Sequence, residues 1–181
     1  MKKIIILATI CMLIIAYSNL YSFDGERNGF ILGGGIGAGY QININWTSGI
    51  TNTVNSRVVF LTNFKIGYAP SNTSEFFYVS KVSWWGESDI AYILGLSAVA
   101  TTYYFDNITE NGWFISGGLG LSTLSAPFEE GVESSYGFGV FAGGGFEFPS
   151  HWNIELDLLY STHGDDLDSF GVLLTINILA F

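Results

Sequence analysis

Few residues in this 181-residue chain could carry chemistry, and they fall into small groups. Acids come in short runs: Glu87 with Asp89, then Glu129, Glu130 and Glu133, then Gly164-Asp165-Asp166-Leu167-Asp168. Such runs offer hard oxygen ligands to a divalent cation. Asp165, Asp166 and Asp168 are the candidate ligands, although their spacing is not that of an EF-hand loop. A hydrated, repulsive rim accounts for the same residues. Two histidines exist, His151 beside Trp152 and His163 near Asp165 and Asp166, and Ser161 stands two residues before His163. Serine and imidazole within reach are the parts of a nucleophilic pair. Gly33-Gly34-Gly35-Ile36-Gly37-Ala38 fits G-x-G-x-x-A. A dinucleotide site also needs a strand before it, a helix after it and an acid about 20 residues on. The sequence has none of these, and no cofactor is expected.

A second set of charges is isolated within apolar surroundings: Lys65, Lys81, Glu75, Glu147, Glu155 and Asp157. Only 12% of the residues are charged, against roughly 25% in a soluble domain. Aromatic content is 17% and the formal net charge is −10. Disorder is excluded by the apolar content, and nucleic-acid binding by the lack of a basic face.

The elements that must position these groups begin after an address. Met1-Lys2-Lys3 is a basic n-region, Ile4 to Ala16 an apolar h-region, and Ser18 and Ser22 are two possible cleavage points. Residues 1–22 are therefore read as a secretory signal peptide, because an apolar run of about 13 residues is too short to span a bilayer as a helix. The single cysteine, Cys11, lies inside it, so no disulfide or thiolate chemistry is expected of residues 23–181. Cleavage leaves Arg27, Arg57, Lys65 and Lys81 against 16 acids.

From Phe30 onward the chain alternates with period two. Phe30, Leu32, Ile36, Tyr40, Ile42 and Ile44 share one parity, and Gly33, Gly35, Gly37, Gly39, Gln41 and Asn43 share the other. Successive side chains of a strand point to opposite faces. Seven more segments repeat the pattern, separated by turn residues at Thr47–Ser56, Pro70–Ser74, Gly86–Asp89, Asp106–Asn111, Ala126–Glu133, Pro149-Ser150 and Gly164–Ser169. Tyr92, Leu94, Leu96 and Ala98 are read as outward-facing in the fourth segment. Aromatics collect at the segment ends, Trp46, Trp84, Tyr136 and Tyr160 at one rim and Tyr68, Tyr104, Trp113 and Phe148 at the other. Aliphatics lie between them, as in the girdles of a transmembrane barrel. Within lipid every backbone polar group must be paired inside the protein, which requires closure. The expected fold is all-β, a closed eight-stranded antiparallel up-and-down transmembrane barrel. Its inner parity is expected to be small and polar. There the six isolated charges form a paired cluster that plugs the lumen, because buried charges must be paired. His151 is expected to snorkel at the interface beside Trp152.

The signal sequence, the Gly33–Gly39 run, the strand Asn153-Ile154-Glu155-Leu156-Asp157-Leu158-Leu159-Tyr160 and the terminal Phe181 resemble the small eight-stranded outer-membrane barrels of the OmpA/OmpX type. The resemblance implies residence in the bacterial outer membrane with both termini periplasmic, contact with outer-membrane lipid and lipopolysaccharide, and a monomer. It also implies that Phe181 ends the signal read by the barrel-assembly machinery. In that family the terminal aromatic shares the lipid-facing parity, whereas here Phe181 falls on the other. The implied role is structural or surface-interaction, in membrane integrity or adhesion, without enzymatic activity. The alternatives are a lipid A-modifying enzyme and a narrow channel. Lipid A deacylases of this kind place Ser, His and a carboxylate on the lipid-facing surface, and Ser161 and His163 have lumen parity instead.

Overall fold

A computed structural model describes residues 27–46, 52–106, 111–129, 131–149, 151–164 and 167–181. Residues 1–22, read above as a signal peptide, with Cys11, and also Glu130, Asp165, Asp166 and the Trp46 side chain, lie outside the described residues. Eight strands follow one another: β1 (Gly29–Trp46), β2 (Asn52–Ser71), β3 (Ser74–Glu87), β4 (Ile90–Tyr104), β5 (Gly112–Ser125), β6 (Ser135–Phe148), β7 (Trp152–His163) and β8 (Leu167–Ala180). Each pairs antiparallel with the next, and β1 pairs with β8 from Leu32↔Ala180 to Asn45↔Leu167, which closes the barrel. Among the described residues no helix is long and apolar enough to cross a membrane. One end holds Arg27 and Phe181 and is called the near end; the opposite rim is the far end. At the far end Ser88 and Asp89 join β3 to β4 with φ of 53° and 67°, the positive pair that a two-residue type I′ hairpin requires.

Large apolar side chains point outward all round. Ile36, Phe60, Phe76, Leu121, Leu174 and Ile178 are examples, each exposed. Near-end aromatics form a continuous outer band: Trp113 meets Phe146 at 5.1 Å, Phe146 meets Phe148 at 5.0 Å, and Phe148 stacks on Trp152 at 4.0 Å. Tyr68, Tyr136 and Tyr160 also face outward, and the Trp84 indole on the outer face donates to the Thr62 hydroxyl at 2.9 Å.

Three expectations are corrected. First, β4 is inverted. Leu94, Leu96 and Ala98 are buried in the lumen, while Val99 and Tyr103 are exposed. Alternation pointed the other way, because the parity that faces outward carries Gly95, Ser97 and Thr101 beside Val99 and Tyr103. Space inside the barrel receives it: a Cβ on Gly139 of β6, two strands away, would lie 2.7 Å from Leu96 Cδ1, so the leucine occupies space that the glycine leaves. Tyr104 therefore belongs to the interior, not to the aromatic girdle. Second, the lumen is not uniformly small and polar. Val59, Leu61, Leu96, Phe141, Leu159 and Leu173 form part of a buried apolar layer across it. Third, β2 begins at Asn52, inside the expected turn Thr47–Ser56. Its first residues read as polar loop, yet they pair with β1 as Trp46↔Asn52, Asn45↔Thr53 and Ile44↔Val54. In the same way β8 begins at Leu167, so Asp168 sits in a strand opposite Thr162 and Ile44.

Candidate functional site

The lumen is layered. At the near end its floor is ionic. Inward parity on β2, β3, β6 and β7 brings Lys65, Glu75, Lys81, Glu147, Glu155 and Asp157 to one interior region, and all six are buried. Lys65 Nζ lies 3.1 Å from Glu75 Oε2. Lys81 Nζ lies 2.6 Å from Asp157 Oδ2 and 3.6 Å from Glu155 Oε1, which ties β3 to β7 across the barrel. The Ser116 hydroxyl donates to Glu155 at 2.6 Å. Both ammonium groups also sit over aromatic faces, Lys65 3.9 Å from the Phe77 centroid and Lys81 4.6 Å from that of Phe141. Attraction of a cation to a ring face is strongest where water is excluded.

Two members of this network escape the alternation pattern. Arg27 precedes β1 and is fully buried. Its Nε donates to Glu147 Oε1 at 2.8 Å, and its guanidinium lies 4.0 Å from the Tyr104 centroid. The Arg27 backbone N–H donates to the Asn72 side-chain oxygen at 3.1 Å, so the β2–β3 turn helps to hold it. Tyr104 is the second. Its hydroxyl contacts Glu147 at 2.5 Å and Glu75 at 3.1 Å, linking β4 with β3 and β6. The sequence signal for Arg27 was its rarity, one of four Lys and Arg residues beyond position 22. Its partner, 120 positions away, was not readable.

His151 is corrected too. Its side chain is buried, with Nδ1 3.0 Å from Glu147 Oε1 and its ring edge-on to Phe181 at 4.9 Å. It closes the near end from within and does not reach the lipid interface. Its φ of 56° turns the β6–β7 connection back into the lumen. Phe181 follows β8 on the inward side, seated on that imidazole.

Above the ions lies the apolar layer, and above that a polar group at the far end. Gln41 donates to Asn43 at 2.8 Å, and the Ser169 hydroxyl donates to Asn43 at 2.9 Å. His163 Nε2 stands 3.1 Å from Ser161 Oγ and 3.3 Å from Ser122 Oγ. The structure thus brings Ser161 and His163 together, but both are buried on the lumen side. The contact bridges β5 and β7 without presenting a hydroxyl to the outer surface. Between Lys65, Lys81, Asn63, Asn153, Glu155 and Asn177 a cavity of about 10 Å³ remains, room for about one water. Among the described residues no cluster of His, Cys, Asp or Glu has metal-binding geometry. Of the acidic rim, Glu87 pairs with Arg57 at 2.9 Å, and Asp168 lies in β8.

No protein-family model matches the chain and no curated protein matches its sequence. Solved structures do. Neisserial surface protein A (NspA) matches with a TM-score of 0.52 and 16% identity, over 83% of this chain and 96% of that one. Ail, the attachment invasion locus protein of Yersinia pestis, matches with a TM-score of 0.50 and 16% identity, over 84% and 99%. The fold is that of the small eight-stranded outer-membrane barrels. At this identity the likeness is one of architecture: strand count, antiparallel order and closure are common property. The charge pairs and the inverted β4 come from this chain's own residues.

Proposed function

We propose that this chain is a monomeric bacterial outer-membrane barrel with a structural and surface-contact role. The observation that carries the reading is polarity turned inside out: an outer face that is mainly apolar, with a few hydroxyls such as Ser97 and Thr101, encloses paired, buried charges. Such a surface is stable only when hydrocarbon is its solvent. On this reading the aromatic bands meet outer-membrane lipid and lipopolysaccharide, and the near end with both termini faces the periplasm. Phe181 then closes the segment engaged by the assembly machinery. The far rim, with Glu87, Asp89, Glu129, Glu133 and Asp168, faces outward. A surface-contact role is supported by that rim and by likeness to Ail, whose name records attachment. The filled lumen favours a plug over a channel. Burial of Ser161 and His163 favours a non-enzymatic role over lipid A modification.

Two measurements test this. Outer-membrane fractions run on gels with and without boiling should show two mobilities, and a single mobility refutes the barrel. Cells expressing the protein should bind extracellular matrix more than cells lacking it, and equal binding refutes the surface-contact role.

A further inference from the structure

A recess of about 800 Å³ opens in the outer face, along the near-end half of β5, β6 and β7. That is within the usual size of a ligand cleft. Its floor is Gly144, which stands in the row Tyr103, Ile115, Gly144, Leu156 and leaves a gap there. Ile115 and Leu156, both exposed, flank the gap. Trp113 and Phe146, 5.1 Å apart, wall it toward the near end together with Phe148. A side chain at the floor cannot close it: a Cβ on Gly144 would fall 2.8 Å from the Phe114 carbonyl oxygen. The recess is therefore fixed by backbone, and its aromatic wall by the Phe148–Trp152 stack at 4.0 Å.

On the reading above this face meets hydrocarbon. An empty recess forfeits dispersion contacts along its whole lining. A chain lying in it touches protein on three sides, whereas a chain passing a convex face touches on one. Four residue steps from Gly144 to Phe148, at about 3.4 Å each, give roughly 14 Å. That is close to one leaflet of a hydrocarbon core about 30 Å thick. The matching occupant is an extended acyl chain that runs from the near-end surface to mid-membrane. At the mouth, the Phe105 N–H donates to the Trp113 carbonyl at 3.0 Å, which sets Asp106 beside the recess. Asp106 is exposed, while Arg27, Lys65 and Lys81 are buried. Among the described residues, a headgroup at this mouth meets a carboxylate and no exposed cation.

We propose that the recess over Gly144 holds one acyl chain of a phospholipid of the near-end leaflet, whose amine-bearing headgroup, as in phosphatidylethanolamine, pairs with Asp106. The proposal rests on the near end facing the periplasm, as in the reading above, where that leaflet is phospholipid. The apolar recess sets occupancy, because chain contact accumulates along its length. Asp106 sets only the preference among headgroups, since an exposed ion pair contributes little.

The test weighs the protein intact by native mass spectrometry after mild detergent extraction from outer membranes. One phosphatidylethanolamine should stay bound. In titrations with dipalmitoyl lipids, phosphatidylglycerol should bind about fivefold more weakly, and Asp106→Asn should erase that difference while keeping the lipid. Leu156→Trp and Ile115→Trp, each filling the recess from one side, should lower occupancy tenfold or more. Ile36→Trp, outward on β1, should leave it unchanged. Without any variant, phosphatidylethanolamine brominated along its chains should quench tryptophan fluorescence at one lipid per protein; quenching only in large excess overturns the site. Unchanged occupancy in both filled variants, or an equal loss in Ile36→Trp, overturns the recess. Equal binding of the two headgroups overturns the role of Asp106, and bound lipid A in place of phospholipid overturns the leaflet. Two gel mobilities with no retained lipid leave the outer-membrane barrel standing and remove this site, whereas a single mobility removes the barrel itself.

Discussion

Replacing Lys81 by Met is the sharpest probe of the interior. Methionine nearly matches the lysine stem in length, so packing against Phe141 is kept and charge is removed. Two carboxylates are then stranded: Asp157, 2.6 Å from Nζ with its side chain fully buried, and Glu155 at 3.6 Å, 6% exposed. Breaking a buried pair from one side costs about 3–5 kcal/mol, because the remaining charge loses its counter-ion where little water can replace it. At about 1.4 kcal/mol per factor of ten, the unfolded fraction should rise by roughly two to three and a half orders of magnitude. Urea unfolding in detergent micelles, followed by tryptophan fluorescence, measures this. Lys81→Met with Asp157→Leu should recover most of the loss, since apolar replacement of both partners is commonly neutral, and Glu155 keeps its bond from Ser116. The reference is Arg57→Met. Its partner Glu87 is 62% exposed, so the cost should stay below about 1 kcal/mol and shrink in salt. A single Lys81 variant as stable as Arg57→Met would refute the account of the interior. So would a double variant worse than the single.

Tyr104→Phe should destabilise by about 2–3 kcal/mol by removing a hydroxyl shared by two buried carboxylates, while Tyr103→Phe should be near neutral; equal effects would restore the outward reading of Tyr104. A membrane-permeant maleimide should label Tyr103→Cys and spare Tyr104→Cys, and the reverse would undo the inversion of β4. Gly120→Val should block assembly, because its Cβ would fall 2.0 Å from the Ser97 carbonyl oxygen; normal heat-modifiable migration would contradict this. In planar bilayers the protein should show no steady conductance, since the Leu61, Leu96, Phe141 and Leu159 layer is too apolar to hold a water column. Regular open steps would refute a sealed lumen.

What alternation conveys, and what it does not, is visible strand by strand. In β8 one face is apolar throughout, Phe170, Val172, Leu174, Ile176 and Ile178, while the other mixes Gly171, Thr175 and Asn177 with Leu173 and Leu179, and orientation was readable from spacing. In β4 the parity with Gly95, Ser97 and Thr101 faces outward, so alternation misled, and the room for Leu96 comes from Gly139 of β6, a neighbour through β5 that spacing along one strand does not reveal. The buried acids and lysines were readable as an interior set because a charge on the outer parity would meet lipid. Their pairing was not, since Lys81 and Asp157 are 76 positions apart and meet across the lumen rather than along a ladder. Arg27 and His151 lie outside any alternating run, and nothing local marks them as interior. The extent of β2 was hidden because Asn52, Asn55 and Ser56 carry turn composition while lying in a strand.

The seam between β1 and β8 has a kinetic consequence. It joins residues almost a full chain length apart, Leu32 with Ala180 and Asn45 with Leu167, so it is the pairing with the greatest loop-closure cost. Until it forms, two strands present bare backbone, which hydrocarbon does not tolerate. A partly zipped sheet therefore has no resting place inside the bilayer. Passage into the membrane and closure of the seam become a single event, and a strand lost from either side of the seam should stop insertion itself rather than yield a smaller, weaker barrel.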